Sequence, residues 1–417
     1  MKKFKEQISE YISHIKLFKK NARIYLYSGF LIGISFSGFR LLYNLFLKEL
    51  NFSEEIMGKR LAIFSLGSLV IAIPATLSAK KNKFSTIYMI SLAILFLSWL
   101  SQAFFTNLIP LFSASLIGGM FMTYYSVAVA PFIMRNSTDK ERTHLFSFNF
   151  AIMLLSGVVG SIIAGFLPDI CANFTDSKIE TLRMSLVVIS GVSLLAFLLI
   201  PKIKELNRVH EKDIRLADIF KIKNPLLLFK ITLPAFIVGM GAGMIIPFMN
   251  LYFKDRIKLE INQIGIIFSI TQLFMFLGIL LGPPLAKKFG KIRTVVITQF
   301  LSIPFMLILA FFNQYFLVAL AFFMRAAFMN MAQPLTTAFA MELVPKNEQE
   351  ITNSTLMVAW TFSLAISTAI GGKLIATSGF TIPLIIASGL YVLSSMFYFL
   401  FFFKTEKITR VVECSGN

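Results

Sequence analysis

Two arginines sit where an arginine is costly. Arg40 and Arg325 each lie inside a long apolar run, and a guanidinium placed there does one kind of chemistry well, offering a planar fork of N–H donors to a carboxylate or phosphate. A charge within a membrane-length apolar run costs several kcal/mol and must face a cavity or a partner. Gly33, Ser37 and Asn44 fall on the helical face of Arg40. Gln333 and Thr336 fall on that of Arg325, within Arg325-Ala-Ala-Phe-Met-Asn330-Met-Ala-Gln333-Pro334. Both faces read as polar stripes lining one cavity, one from each half of the chain. The alternatives are a snorkelling Arg40, with Lys48 eight positions on, and a structural Arg325 tied to carbonyls freed by Pro334.

Other polar side chains at similar depth fall into small groups. Thr123, Tyr124, Tyr125 and Ser126 form one group, Ser269, Thr271 and Gln272 another, and Asn250 ends a third run. The candidate substrate-binding set is therefore Arg40, Asn44, Ser37, Tyr124, Asn250, Gln272, Arg325 and Gln333, with helix-to-helix hydrogen bonding as the competing use of the hydroxyls. No enzyme constellation accompanies them. His14, His144 and His210 all lie in polar segments, the only cysteines are Cys171 and Cys414, and no metal-ligand cluster or phosphate-cradling loop with its lysine is present. Gly239, Gly241 and Gly243 lie inside an apolar run, with Met244 where a dinucleotide loop would need its third glycine, so they read with Pro247 as a flexible or kinked point. No cofactor and no metal are expected. None of the 21 acidic residues lies deep in an apolar run, which predicts that no midplane carboxylate loads and releases protons.

The elements that must position these residues are membrane helices. With 56% hydrophobic residues and a mean hydropathy of +0.76, the chain is too apolar for a soluble globule. A span needs about 20 apolar residues, and twelve runs qualify: 25–47, 60–79, 84–105, 108–134, 146–168, 181–201, 226–252, 262–286, 291–312, 315–342, 353–376 and 381–403. The formal net charge of +19 sits in the short loops between them. That placement argues for the positive-inside rule and against a nucleic-acid partner.

Placing the N-terminus in the cytosol puts about 28 Lys and Arg in cytosolic segments and about nine outside. The expected topology is N-in and C-in, in the cytoplasmic membrane. It sets Cys171 and Cys414 on opposite sides, without a disulfide. Met1 to Asn21 lacks a signal-peptide layout; Phe4, Ile8, Tyr11, Ile15 and Phe18 recur there at helical spacing, as in a surface-lying helix or a basic tail. The expected organisation is a six-helix half over 1–201, a basic linker over 202–225 with a short apolar face at Ile214, Leu216, Ile219 and Phe220, and a second six-helix half over 226–417.

The halves resemble each other. Gly282-Pro283-Pro284-Leu285-Ala286-Lys287-Lys288-Phe289-Gly290-Lys291-Ile292-Arg293 echoes Leu77-Ser78-Ala79-Lys80-Lys81-Asn82-Lys83-Phe84, and Asn250-Leu251-Tyr252-Phe253-Lys254 echoes Asn44-Leu45-Phe46-Leu47-Lys48. Internal duplication of this kind marks a transporter scaffold. Here the sequence resembles the major facilitator superfamily, whose loop between helices 2 and 3 reads Gly-x-Leu-Ala-Asp-Arg-x-Gly-Arg-Arg and recurs between helices 8 and 9. Leu285, Ala286, Lys288, Gly290 and Lys291 fit it, while Pro283 and Lys287 replace the first Gly and the Asp. In the first copy Ala75, Leu77, Lys80 and Lys83 fit, while Ala79 and Asn82 replace the Asp and the second Gly.

The resemblance covers roughly 22–403 and implies an all-α membrane protein of twelve transmembrane helices in two pseudo-symmetric six-helix bundles. Lys80, Lys83, Lys288, Gly290 and Lys291 become candidate gating-loop residues. Ser156, Gly160, Ser161, Ala164 and Gly165 resemble the superfamily's antiporter motif without its proline, and close packing of two helices explains the stripe without any transport direction. The implied function is secondary transport of a small-molecule substrate within the lipid bilayer, by a protein expected to act as a monomer. Efflux of amphipathic drugs, suggested by 46 Phe and 19 Met, competes with carriage of an anion or polar metabolite. The other class is a transporter-shaped sensor or scaffold that moves nothing.

Overall fold

A computed structural model describes residues 18–204 and 224–415. Phe4, Ile8, Tyr11, Ile15, His14 and the linker residues His210, Ile214, Leu216, Ile219 and Phe220 lie outside the described residues. Lipid offers no partner for a backbone N–H or C=O, so a spanning chain of this composition satisfies them within helices. Among the described residues, twelve helices of spanning length and apolarity result: α1 (Lys20–Glu49), α2 (Glu54–Lys81), α3 (Phe84–Phe104), α4 (Leu108–Arg135), α5 (Asp139–Cys171), α6 (Lys178–Phe197), α7 (Pro225–Ile245), α8 (Ile261–Phe289), α9 (Lys291–Phe311), α10 (Tyr315–Leu343), α11 (Gln349–Ser378) and α12 (Thr381–Ser415).

Several helices outrun their apolar runs, because hydropathy marks the membrane-crossing part of a helix and not its ends. α5 starts at Asp139, where Thr138 and Glu141 close a reciprocal capping box. The first turn of α2 carries Glu54 and Glu55, acids that suit the positive end of a helix. α7 departs in the opposite sense. Its apolar run continues to residue 252, but the α-helix stops at Ile245 and gives way to a 3-10 turn (Ile246–Phe248), one α turn (Met249–Leu251) and a π turn (Tyr252–Arg256). Pro247 brings no N–H to the ladder. Arg256 anchors the far end, donating to Asn313 Oδ1 at 2.8 Å, the Ala310 carbonyl at 2.7 Å and Thr381 Oγ1 at 3.1 Å.

The chain divides into two compact units, Met1–Phe46 with Val70–Glu211, and Leu47–Leu69 with Lys212–Asn417. In the first, an aromatic core joins Tyr25, Phe84, Tyr88 and Phe132, with Phe84 stacked on Phe132 at 4.0 Å. In the second, Ile231, Ile292, Val295, Leu335, Phe339 and Phe402 form the corresponding core.

The duplication is visible in packing more clearly than in sequence. Within the first unit a Cβ on Gly33 of α1 would stand 2.0 Å from Ser156 Oγ of α5; within the second, a Cβ on Gly239 of α7 would stand 1.9 Å from Ser363 Oγ of α11. One turn further along, Gly160 of α5 meets Ser37 of α1, and Gly243 of α7 meets Ser367 of α11. The second pair has exchanged its glycine and serine between the helices. The small-residue stripe of α5 is thus a packing seam, as is the glycine run of α7, whose backbone breaks only beyond it.

Candidate functional site

Between Ser28 and Leu47 every residue of α1 is buried or half-buried except Arg40, which is exposed. Within this stretch Arg40 is both the one cation and the one exposed side chain. The flanks are held firmly. Phe39 stacks on Tyr43 at 4.7 Å and on Trp99 at 5.5 Å, and Tyr43 Oη donates to the Gln102 carbonyl at 3.2 Å. The expected polar stripe is divided: Ser37 faces Gly160 of α5 and Asn44 is buried.

Tyr124 is half-buried, its hydroxyl sharing a 2.7 Å hydrogen bond with Ser78 Oγ, which also accepts from Asn82 Nδ2 at 2.7 Å. This ties α4 to the Lys81 end of α2. Beside it lie Tyr88 Oη donating to Ser28 Oγ at 2.8 Å and Tyr25 Oη donating to Asn149 Oδ1 at 2.7 Å, with Tyr125 stacked on Tyr88 at 4.9 Å.

In the second unit Arg325 is 6% exposed. Its Nη2 donates to Tyr391 Oη at 2.6 Å and its guanidinium carbon lies 5.7 Å from the Tyr391 ring centroid. A phenol of α12, and no carbonyl near Pro334, is its partner. Gln333 is exposed, and its carbonyl accepts from Thr336 Oγ1 at 2.8 Å and Thr337 Oγ1 at 3.2 Å, so these hydroxyls serve the backbone beside the proline. Gln272 is half-buried. Asn250 is buried, and its Oδ1 accepts the Leu251 N–H at 3.0 Å, supporting the broken stretch of α7.

The two basic loops differ. α8 and α9 are joined by Gly290 alone, at φ +102°, a left-handed geometry suited to glycine. Its carbonyl accepts from both the N–H and the hydroxyl of Thr294. Lys291 forms an ion pair with Glu342 of α10, and Lys288 lies over the Phe289 ring at 5.2 Å. The first copy needs two residues, Asn82 and Lys83, between α2 and α3. Lys83 is exposed, and Arg135 occupies the place matching Glu342, donating to the Pro131 carbonyl of its own helix at 3.2 Å. Lys80 lies in α2, its side chain outside the described residues.

Three features escaped the sequence reading. Glu348 at the start of α11 is 4% exposed, with Oε1 lacking a partner. It matches Glu141, but Pro345 stands where Thr138 supplies the N–H of the capping box, so the acceptor is stranded. Gly58 of α2 and Gly372 of α11 meet within the second unit, where Lys48 pairs with Glu54 and, at 3.5 Å, with Asp255. Tyr391, fully buried, holds Arg325 while packing on Gly241 of α7. A glycine two residues from each of two others was the only trace of that contact. Among the described residues no three His, Cys, Asp or Glu side chains gather as a metal site requires.

A profile of the Major Facilitator Superfamily matches residues 25–233 and 231–412. No curated protein matches the sequence. Among solved structures, the fold is similar to a bacterial homologue of the human lysosomal transporter Spinster in an inward-facing, occupied conformation (TM-score 0.76, 12% identity, 92% of this chain and 97% of that one). It is also similar to the nucleoside transporter NupG (0.73, 15%, 92% and 99%). A bacterial homologue of the iron transporter ferroportin in the inward-facing state is a third (0.68, 14%, 91% and 98%).

Proposed function

Since the chain belongs to the major facilitator superfamily, we propose that it is a secondary transporter carrying a small polar solute across the cytoplasmic membrane by alternating access. It works as a monomer with both termini in the cytosol, and the loop-charge asymmetry supports that orientation. Two of the three similar structures have a named cargo, nucleoside for one and iron for the other; these are unlike one another and do not supply one for this chain.

The observation that carries the polar reading is Arg40, exposed in a stretch of α1, residues 28–47, whose other residues are buried or half-buried. A scaffold or sensor has little reason to bear that charge in a span, and the fork suits an oxyanion. Drug efflux rests on Phe and Met content alone, and large apolar side chains are exposed along most of the helices, as lipid-facing surfaces require. The test is uptake into proteoliposomes of a labelled panel of small carboxylates, phosphates and neutral polar solutes. Arg40→Lys keeps the charge and loses the fork, so uptake of the transported member falls about tenfold with expression held. Unchanged uptake in Arg40→Lys and Arg40→Gln together would remove Arg40 from the site, and absence of uptake of any member would favour the sensor.

A further inference from the structure

Among the described residues, Arg325 has no carboxylate partner within ion-pair distance. Of its five N–H donors one is engaged, by the neutral Tyr391 hydroxyl, and Nε is buried with no partner among the described residues. The ion pairs of this unit, Lys48 with Glu54 and Asp255, Lys59 with Glu55, Lys254 with Glu260 and Lys291 with Glu342, do not include it. A buried cation kept only for packing would use its donors on carbonyls, because leaving them unmade carries the full desolvation penalty.

The group is nevertheless held in place. Tyr391 sits in contact with Gly241, where a Cβ would fall 2.8 Å from its Cε1 and 3.2 Å from the Ala387 carbonyl. Ser395 Oγ lies 2.9 Å from the Tyr391 carbonyl and 2.7 Å from Gln299 Oε1. Helices α7, α9 and α12 thus fix the phenol, and the phenol fixes the guanidinium. A firmly held guanidinium beside an aromatic ring, with unused donors and outside the ion pairs of the described residues, has the donor set that an oxyanion accepts from.

We infer that Arg325, positioned by Tyr391, is an anion-binding site of the second unit that takes a small planar carboxylate on its unused donors, and that the carried solute bears such a group. This deepens the transporter reading and rests on it for the solute, but anion binding itself can be measured without transport. The probe is sodium acetate, with the thermal unfolding midpoint of the purified full-length protein in detergent as readout. Sodium chloride at equal ionic strength and acetamide, the neutral near-isostere, are the controls.

Acetate raises the midpoint saturably above both controls, and Arg325→Gln abolishes the rise. Should Arg325→Gln fail to fold, Arg325→Lys keeps the charge without the fork, and half-saturation moves to roughly tenfold higher acetate. A wild-type response no larger than in chloride, a response undiminished in Arg325→Gln, or an unmoved half-saturation in Arg325→Lys would overturn the site. A larger response to inorganic phosphate than to acetate would overturn the planar-carboxylate assignment. A positive acetate response with no uptake of any solute would leave the site standing and sink the transporter reading instead.

Discussion

Gly58 of α2 runs against Gly372 of α11 so closely that a Cβ on Gly58 would stand 2.4 Å from the Thr368 carbonyl oxygen and 3.0 Å from the Gly372 Cα. No other side chain fits, since neither backbone can yield as a flexible side chain would. Gly58→Trp therefore drives the two helices apart. In that background a cysteine at Thr368, otherwise 2% exposed, becomes reactive toward a water-soluble thiol reagent; equal protection with Gly58 and with Trp would contradict the contact.

The glycine and serine of the seam between α7 and α11 should be exchangeable as a pair, because the first unit already uses the exchanged arrangement. Gly243→Ser alone meets Ser367 Oγ, which stands 1.9 Å from the new Cβ position, and overpacking of this kind costs about 1–3 kcal/mol. Adding Ser367→Gly restores most of the lost thermal stability. A double variant no more stable than the single one would contradict the pairing.

The Lys291–Glu342 pair is partly exposed, with 35% and 57% of the side chains accessible, so its contribution to stability is about 1 kcal/mol or less. A double-mutant cycle with Lys291→Gln and Glu342→Gln, read by thermal unfolding, should return a coupling within that bound. A coupling of several kcal/mol would mean that the pair is far less solvated than its exposure indicates.

Much of this was legible in the residues themselves. Apolar runs of spanning length dictate twelve helices, and the two basic loops betray the duplication. Arg40 and Arg325 stand out because charge in lipid is costly wherever it falls. The contacts could not be read, since they depend on which face of one helix meets which face of another. Ser37, Asn44 and Gln333 share helical faces with the arginines in sequence, yet the structure turns Ser37 toward Gly160, buries Asn44 and exposes Gln333. The break in α7 lies three residues beyond its glycine cluster for the same reason. Glycines at 239 and 243 admit the serines of α11, Gly241 admits Tyr391, and Pro247 interrupts the ladder.

Topology needs a better reporter than the native thiol, because Cys171 is 4% exposed and Cys414 lies where side chains are not described. In a Cys171→Ser, Cys414→Ser background, Asn173→Cys in the exposed turn after α5 should react with an impermeant reagent in intact cells, and Lys83→Cys only after permeabilisation. The reverse pattern would overturn the orientation.

The expectation that no proton is coupled to the solute can be tested at a named group. The stranded carboxylate of Glu348 is the buried acid that sequence placed among ordinary loop residues, yet it stands at the start of α11 and outside the middle of any span. Solute-driven pH change in proteoliposomes, with a non-titrating solute and no imposed gradient, should be absent in the wild type. Proton movement lost in Glu348→Gln would contradict that expectation and identify the carrier.

Under the proposed function a small polar solute, anionic where it meets the Arg40 fork, moves along a path that Arg40 serves. The most direct measurement is charge displacement in proteoliposomes on a supported membrane, recorded as small carboxylates are exchanged rapidly against their neutral amides. At least one carboxylate should give a current that its amide does not, and Arg40→Gln should lose that current while the protein remains folded. Carboxylates and amides giving equal responses, or a carboxylate current undiminished in Arg40→Gln, would contradict the claim.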